Sequence, residues 1–139
     1  MQRLSCRILP LFLPLLAACT NDGAAYLVDG QRHAISIVRD SMFWEKQVNL
    51  SLVVSRLPDC QRRHAIQKAN PKAHIELWQP PGEGAYILKI GNTMYVTETR
   101  TCEGFARLNE DPPGGLGVQL GVFGEIKGVF SFVPVKEEE

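Results

Sequence analysis

Short segments in which hydrophobic and polar residues alternate fill the chain from about residue 25 onward. In the segment 48–54, Val48, Leu50, Leu52 and Val54 fall on one face of an extended strand, and the intervening residues fall on the other. Residues typical of tight turns separate several of these segments. The pattern therefore predicts a succession of antiparallel strands.

The clearest hairpin consists of two strands, 85–90 and 93–100, joined by Gly91-Asn92. A Gly-Asn dipeptide provides the positive φ that a two-residue antiparallel turn requires. This turn places Leu88 opposite Tyr95, so that apolar side chains pair across the two strands. Further strands are predicted at 25–28, 33–38, 74–79, 116–122 and 129–135, with turns at Asp29-Gly30 and Lys127-Gly128.

Helix signals occur in one segment, from Asp59 to Ala69. Asp59 follows Pro58 and can cap a helix, and Asn70-Pro71 would end it. Strands at intervals of about 8–12 residues, with at most one short helix, are typical of all-β folds. We therefore expect a single domain over residues 25–135, a small and mainly antiparallel sandwich or barrel.

The beginning of the chain has a different pattern. A short basic start precedes an apolar run at 8–16, which is followed by Ala17 and Ala18. This order is typical of a secretory signal peptide. A transmembrane helix is not expected, because it needs ~20 apolar residues and this run is shorter and interrupted by Pro10 and Pro14.

The sequence Leu16-Ala17-Ala18-Cys19 resembles the lipobox of bacterial lipoproteins. In that family the cysteine thiol receives a diacylglycerol, the chain is cut before the cysteine, and the new amine is acylated. The resemblance implies cleavage between Ala18 and Cys19 and lipidation of Cys19. Two or more acyl chains would then hold the protein stably on a membrane.

The residue after the lipobox cysteine bears on the location. Many proteobacterial lipoproteins that stay in the inner membrane have aspartate there, whereas this chain has Thr20. The resemblance therefore favours the periplasmic face of the outer membrane. The alternatives are the inner membrane, or an ordinary cleaved signal peptide that leaves a secreted periplasmic protein with a plain thiol at Cys19.

These expectations divide the chain into a signal peptide at 1–18, a lipidated flexible tether at 19–24, a β-rich domain at 25–135 and a charged tail at 136–139. Without the signal peptide the chain has 13 basic and 15 acidic residues. So mild a charge argues against a nucleic-acid partner, which would require a basic surface.

Two cysteines remain once the signal peptide and the lipobox are set aside, and they are Cys60 and Cys102. Two thiols in an oxidising periplasm favour a disulfide, which would close a loop of about 43 residues and contribute ~4 kcal/mol. The alternative is a metal site formed by these cysteines with His64 and His74. Because Cys60 and His64 provide only half of a usual zinc-ligand spacing, no metal or other cofactor is expected.

A Cys60–Cys102 bridge would bring Arg62 and Arg63 close to Arg100. Arginine clusters suit phosphate and carboxylate groups, so these three residues are the candidate surface for a partner protein or an anionic envelope component. The alternative is a set of solvated arginines, each paired with a nearby carboxylate. Trp44 and Trp78 are expected in the core or at its edge, with a paired sugar-stacking platform as the alternative.

The chain contains no motif that identifies a catalytic site. The glycines at 114–117 are not followed by the Gly-Lys-Ser/Thr of a phosphate-binding loop, and no G-x-S-x-G occurs. We expect a lipid-anchored, periplasm-facing binding or adaptor module. Two alternatives stay open, a small envelope enzyme that acts on cell-wall material with residues from distant strands, and an inhibitor-type lipoprotein that uses the loop 79–84.

Overall fold

A computed structural model describes residues 19–136, and within this range the chain forms ten β-strands and no helix. The strands are β1 Thr20–Asp29, β2 His33–Ser41, β3 Val48–Arg56, β4 Cys60–Ala69, β5 Ile75–Gln79, β6 Ala85–Ile90, β7 Thr93–Glu98, β8 Phe105–Leu108, β9 Val118–Ile126 and β10 Val129–Pro134. The predicted all-β class is confirmed. The predicted signal peptide and most of the predicted tail lie outside the described residues.

The strands form two antiparallel sheets that pack as a sandwich. One sheet has the order β1-β2-β3-β4, and the other has the order β10-β9-β5-β6-β7-β8. Side chains that alternate along the strands fill the space between them; Ile37 and Leu52 come from the first sheet, and Leu77, Leu88 and Phe123 from the second. All five are fully buried. The core therefore draws on both sheets, as the alternating pattern requires.

The predicted hairpin is confirmed in position and register. Strands β6 and β7 pair with Leu88 opposite Tyr95, and Gly91 in the connecting turn has φ +59°. The alternation predicted for 48–54 is also confirmed, since Val48, Leu50, Leu52 and Val54 are all buried. Local apolar spacing and one turn thus determine these elements.

The strands begin and end at two opposite ends of the sandwich, the Cys19 end and the disulfide end. The Cys19 end contains Cys19, the β2–β3 loop at 42–47 and the β9–β10 turn at 127–128. The disulfide end contains the connections at 80–84 and 99–104. Strand pairing places the start of β1 beside the end of β2, and the start of β5 beside the end of β6.

Arg39 joins four segments at the Cys19 end, although it faces the core and is only 4% exposed. Its Nε and Nη2 each donate to the Asp22 carboxylate at 2.7 Å, and its Nη1 donates to the Pro71 carbonyl at 2.7 Å. Glu125 lies 3.4 Å from Nη1, and the guanidinium lies 4.3 Å from the centre of the Phe130 ring. These contacts hold β1, β2, the β4–β5 connection and the β9–β10 hairpin together.

A disulfide joins the two sheets at the opposite end. Cys60 begins β4, and Cys102 lies in the β7–β8 loop of the other sheet. The sulfur atoms are 2.03 Å apart and the Cα atoms 5.9 Å apart. The predicted disulfide is therefore confirmed, and it fixes the β7–β8 loop against the first sheet.

The helix predicted from Asp59 to Ala69 is wrong, because this segment forms strand β4. Strand β4 pairs with β3 along nearly its whole length, and the pairing shifts by one residue opposite Leu50. An irregularity of this kind breaks the alternation of side chains, so the segment lacks the two-residue period of a strand. Pairing with β3 outweighs the local helix signals.

The predicted flexible tether at 19–24 is corrected as well, since β1 begins at Thr20. Residues 20–24 pair with the last part of β2, with Thr20 opposite Ser41. The ion pair between Asp22 and Arg39 stabilises this pairing. Among the described residues, strand structure therefore begins directly after Cys19.

Candidate functional site

Cys19 is an exposed free cysteine directly before β1. With Met42, Glu45 and the first residues of β1, it lines an open depression of about 430 Å³. The Cys19 thiol is therefore accessible from solvent. Leu16, Ala17 and Ala18, the other residues of the lipobox-like sequence, lie outside the described residues.

The structure separates the arginines predicted to form one surface. Arg62 and Arg63 are consecutive in β4, so their side chains point to opposite faces of the sheet. Arg62 Nη2 lies 2.9 Å from Glu103 Oε1, and Arg63 Nη2 lies 3.4 Å from Asp40 Oδ1. Both arginine side chains are more than half exposed, so each pair contributes only about 0–1 kcal/mol to stability.

Arg100 occupies a third position, in the β7–β8 loop. It lines an open depression of about 340 Å³ together with Glu83, Glu98 and Thr101. A separate depression of about 320 Å³ contains Arg62 and Arg63 with Glu103. The disulfide end therefore carries neighbouring positive and negative groups, not a concentrated arginine cluster.

The Glu98 carboxylate organises the loop that contains Arg100. It accepts hydrogen bonds from the backbone N–H groups of Thr101 at 2.8 Å and Gly104 at 3.0 Å. Partial burial opposes ionisation of this group, but hydrogen bonds from Thr101, Gly104 and Arg100 outweigh it and lower the pKa to about 2. Glu98 is therefore an ionised structural group at neutral pH.

His64 is likewise engaged in structural contacts. Its Nε2 lies 2.8 Å from the Cys102 carbonyl oxygen, and its ring stacks on Phe105 with the ring centres 4.8 Å apart. The thiols of Cys60 and Cys102 are consumed by the disulfide, so they cannot join His64 and His74 as metal ligands. Among residues 19–136, no three His, Cys, Asp or Glu side chains converge in the manner of a metal site.

The two tryptophans lie in different environments. Trp78 is half-buried on β5, and its Nε1 donates to Glu76 Oε2 at 2.8 Å. Trp44 lies in the β2–β3 loop of the other sheet and is exposed, so the prediction of a core position for Trp44 is wrong. The two rings therefore do not form the paired sugar-stacking platform considered as an alternative.

Comparison of the chain with protein-family models, curated proteins and solved structures found no match. Within residues 19–136 there is also no helix long and apolar enough to span a membrane.

Proposed function

We propose that the protein is a lipid-anchored envelope protein that acts as a binding or adaptor module on the periplasmic face of the outer membrane. The observation that carries the proposal is the position of Cys19, the last residue of the lipobox-like sequence. It is exposed and immediately precedes β1. Acyl chains at this residue would attach one end of the sandwich to the membrane and leave the disulfide end free.

The disulfide end is the partner surface in this proposal. The disulfide and the Glu98 hydrogen bonds fix the 99–104 loop, so this surface loses little conformational entropy when a partner binds. Arg62 and Glu103 lie on it as a pair, and Arg100 lies near Glu83. Neighbouring charges of both signs suit a partner protein with a complementary pattern, because such patterns confer specificity and orientation.

The side chains in the depressions at this end favour binding over acid–base catalysis. A general base must be free to accept a proton and must have a pKa near the working pH. His64 is held between the Cys102 carbonyl and the Phe105 ring, and Glu98 accepts hydrogen bonds from the loop and has a pKa of about 2. Both groups stabilise the loops that would contact the partner.

The test is crosslinking of the full-length protein in cells, followed by mass spectrometry of the proteins that copurify. We expect one stoichiometric partner, and we expect its recovery to fall when a Cys19→Ala change releases the domain from the membrane. Recovery of only bulk envelope proteins from both samples would contradict the adaptor function.

Surface variants locate the interface once a partner is captured. A combined Arg62→Ala and Arg100→Ala change should weaken capture, because both residues lie on the proposed surface. Arg107→Ala is the matched control, since Arg107 is exposed on β8 and lines neither the depression of Arg62 nor that of Arg100. Equal loss with the control would remove the disulfide end from consideration.

A further inference from the structure

Three consecutive large apolar side chains project from the β2–β3 loop at the Cys19 end. Met42 is 51% exposed, Phe43 is 62% exposed and Trp44 is 66% exposed. The rings of Phe43 and Trp44 pack edge to face, with their centres 4.8 Å apart and their planes at 82°. A contiguous exposed apolar group of this kind marks an interaction surface in a folded protein.

The loop that carries these side chains is held by its own hydrogen bonds. The Glu45 N–H donates to the Met42 carbonyl at 3.0 Å, and the Met42 N–H donates to Glu45 Oε2 at 2.9 Å. The second Glu45 oxygen accepts from Lys68 Nζ at 3.1 Å. The hydrogen bond from the Met42 N–H, followed by the one from Lys68, lowers the pKa of Glu45. The carboxylate that holds the loop is therefore ionised at neutral pH. The aromatic pair is therefore presented on a defined turn.

The loop lies next to the proposed lipidation site. Thr20 pairs with Ser41, and the same depression is lined by both Cys19 and Met42. Because β1 begins at Thr20, no flexible segment separates Cys19 from the folded domain. Acyl chains on Cys19 would therefore enter a bilayer beside Met42, Phe43 and Trp44.

A second apolar turn lies at the same end. Ile126 and Val129 are 45% and 63% exposed, and Lys127 is exposed between them. Arg39 contacts Asp22, near the start of β1, and Glu125, which directly precedes Ile126. The β9–β10 turn is therefore close to the start of β1.

We propose that the Cys19 end is a membrane-contact surface, with Phe43 and Trp44 inserted among the lipid headgroups. The amphipathic ring of Trp44 favours this depth of a bilayer, and basic side chains such as Lys46 and Lys127 are attracted to anionic lipids. The contact sets the disulfide end away from the bilayer. The inference rests on the proposed lipidation of Cys19. It adds a fixed orientation of the domain relative to the bilayer.

The test uses the purified lipidated full chain in vesicles of phosphatidylethanolamine and phosphatidylglycerol, with and without bromine on the acyl chains. Brominated lipids should quench part of the tryptophan emission of the wild-type protein. A Trp44→Phe variant should lose this quenching, because its remaining tryptophan, Trp78, lies on β5, away from the proposed contact. Trp44 emission that bromine does not change and aqueous iodide does quench would overturn the inference.

The mass of the N-terminal peptide from the same sample separates this inference from the proposed function. Acyl chains on Cys19 together with a water-exposed Trp44 would leave the anchor standing and overturn membrane contact. If Cys19 carries no acyl chain, the lipid anchor fails. Vesicle binding by the Cys19→Ala protein then decides whether the loop contacts lipid, and no quenching of Trp44 in that protein overturns the inference.

Matched substitutions complete the test in the Cys19→Ala protein. This protein should bind an excess of vesicles weakly and reversibly, and a combined Phe43→Ser and Trp44→Ser change should abolish that binding. Val118→Ser should leave it unchanged, since Val118 is 68% exposed but begins β9 at the other end of the sandwich. Equal loss of binding in both variants would overturn the inference. So would a dimer of this chain that shields Trp44 from aqueous iodide in the absence of vesicles.

Discussion

At Arg39, a buried charge is stabilised by partners from several parts of the chain. The hydrogen bond with Asp22 is the largest contribution to the raised pKa of this guanidinium, and it outweighs the opposing effect of burial. The Pro71 carbonyl and the Glu125 carboxylate accept further hydrogen bonds from Arg39 Nη1. Arg39 thus serves as a crosslink between the two sheets at the Cys19 end.

Replacing Arg39 with methionine should reduce the free energy of unfolding by about 2–4 kcal/mol, because Asp22 and Glu125 lose their partner in a partly buried site. Arg63→Met is the control, and it should cost no more than about 1 kcal/mol because its ion pair is exposed. Urea unfolding followed by fluorescence measures both. Equal effects would show that Arg39 does not connect the sheets.

Glu98 makes the stability depend on pH. Its pKa is about 2 in the folded chain against an ordinary value of 4.5, so its contribution is fully present above pH 4.5 and is lost as the pH falls toward 2. Glu98→Gln should therefore cost about 1–3 kcal/mol at pH 7, and the difference from wild type should shrink as the pH falls to 2.

Urea unfolding at a series of pH values tests this expectation. Glu103→Gln is the control, because the Glu103 carboxylate is exposed and its pair with Arg62 contributes little. A difference between wild type and Glu98→Gln that stays constant from pH 7 to pH 2 would contradict the role of the ionised carboxylate.

At the scale of the element, the β8–β9 connection packs closely against the end of β5. A Cβ atom on Gly117 would overlap the Gln79 carbonyl oxygen and would lie 2.7 Å from Pro80 Cα. Gly115 has the same φ of +80°, but a Cβ atom there would meet nothing within 4 Å. Substitution of Gly115 therefore tests backbone strain alone, whereas substitution of Gly117 tests backbone strain together with steric overlap.

Gly115→Ala should cost about 1–2 kcal/mol, which is the cost of a side chain in the left-handed region. Gly117→Ala should cost about 1–3 kcal/mol more, because the backbone of β5 must move. Thermal unfolding of the two variants measures the difference. If the two variants are equally stable, the close approach to Gln79 does not constrain this connection.

The elements that could be predicted from the sequence are those with local signals. Apolar alternation indicates β3, and a Gly-Asn turn fixes the register of β6 with β7. The sequence predicts a helix where β4 lies because the flanking prolines resemble helix boundaries and a shift in the pairing interrupts the alternation. Strand β8 was not predicted, since its four residues are too short a segment to show a period.

Some features of the candidate site also have local sequence signals, and others do not. Cys19 and the disulfide follow from cysteine positions, whereas the separation of Arg62 from Arg63 depends on strand alternation in a segment predicted to be helical. Residues 20–24 resembled a tether because their pairing depends on an ion pair between Asp22 and Arg39 that the local sequence does not show. Met42, Phe43 and Trp44 gave a usable signal, three apolar residues between two predicted strands.

At the scale of the whole molecule, the sandwich has two chemically different ends. The Cys19 end combines an exposed cysteine with the aromatic pair of Phe43 and Trp44. The disulfide end presents charges of both signs on loops fixed by Cys60–Cys102. This polarity suits a domain with one end on a membrane and the other directed to a partner.

Lipidation of Cys19 is the central claim, and intact-mass spectrometry of the protein from the membrane fraction of a bacterium with an outer membrane tests it most directly. We expect a mature chain that begins at Cys19 and carries a diacylglycerol on its sulfur and an acyl group on its amine. The Cys19→Ala protein should carry neither group and should wash off the membrane fraction, because contact through Phe43 and Trp44 alone is weak and reversible. A wild-type chain with an unmodified Cys19 thiol would contradict the lipid anchor.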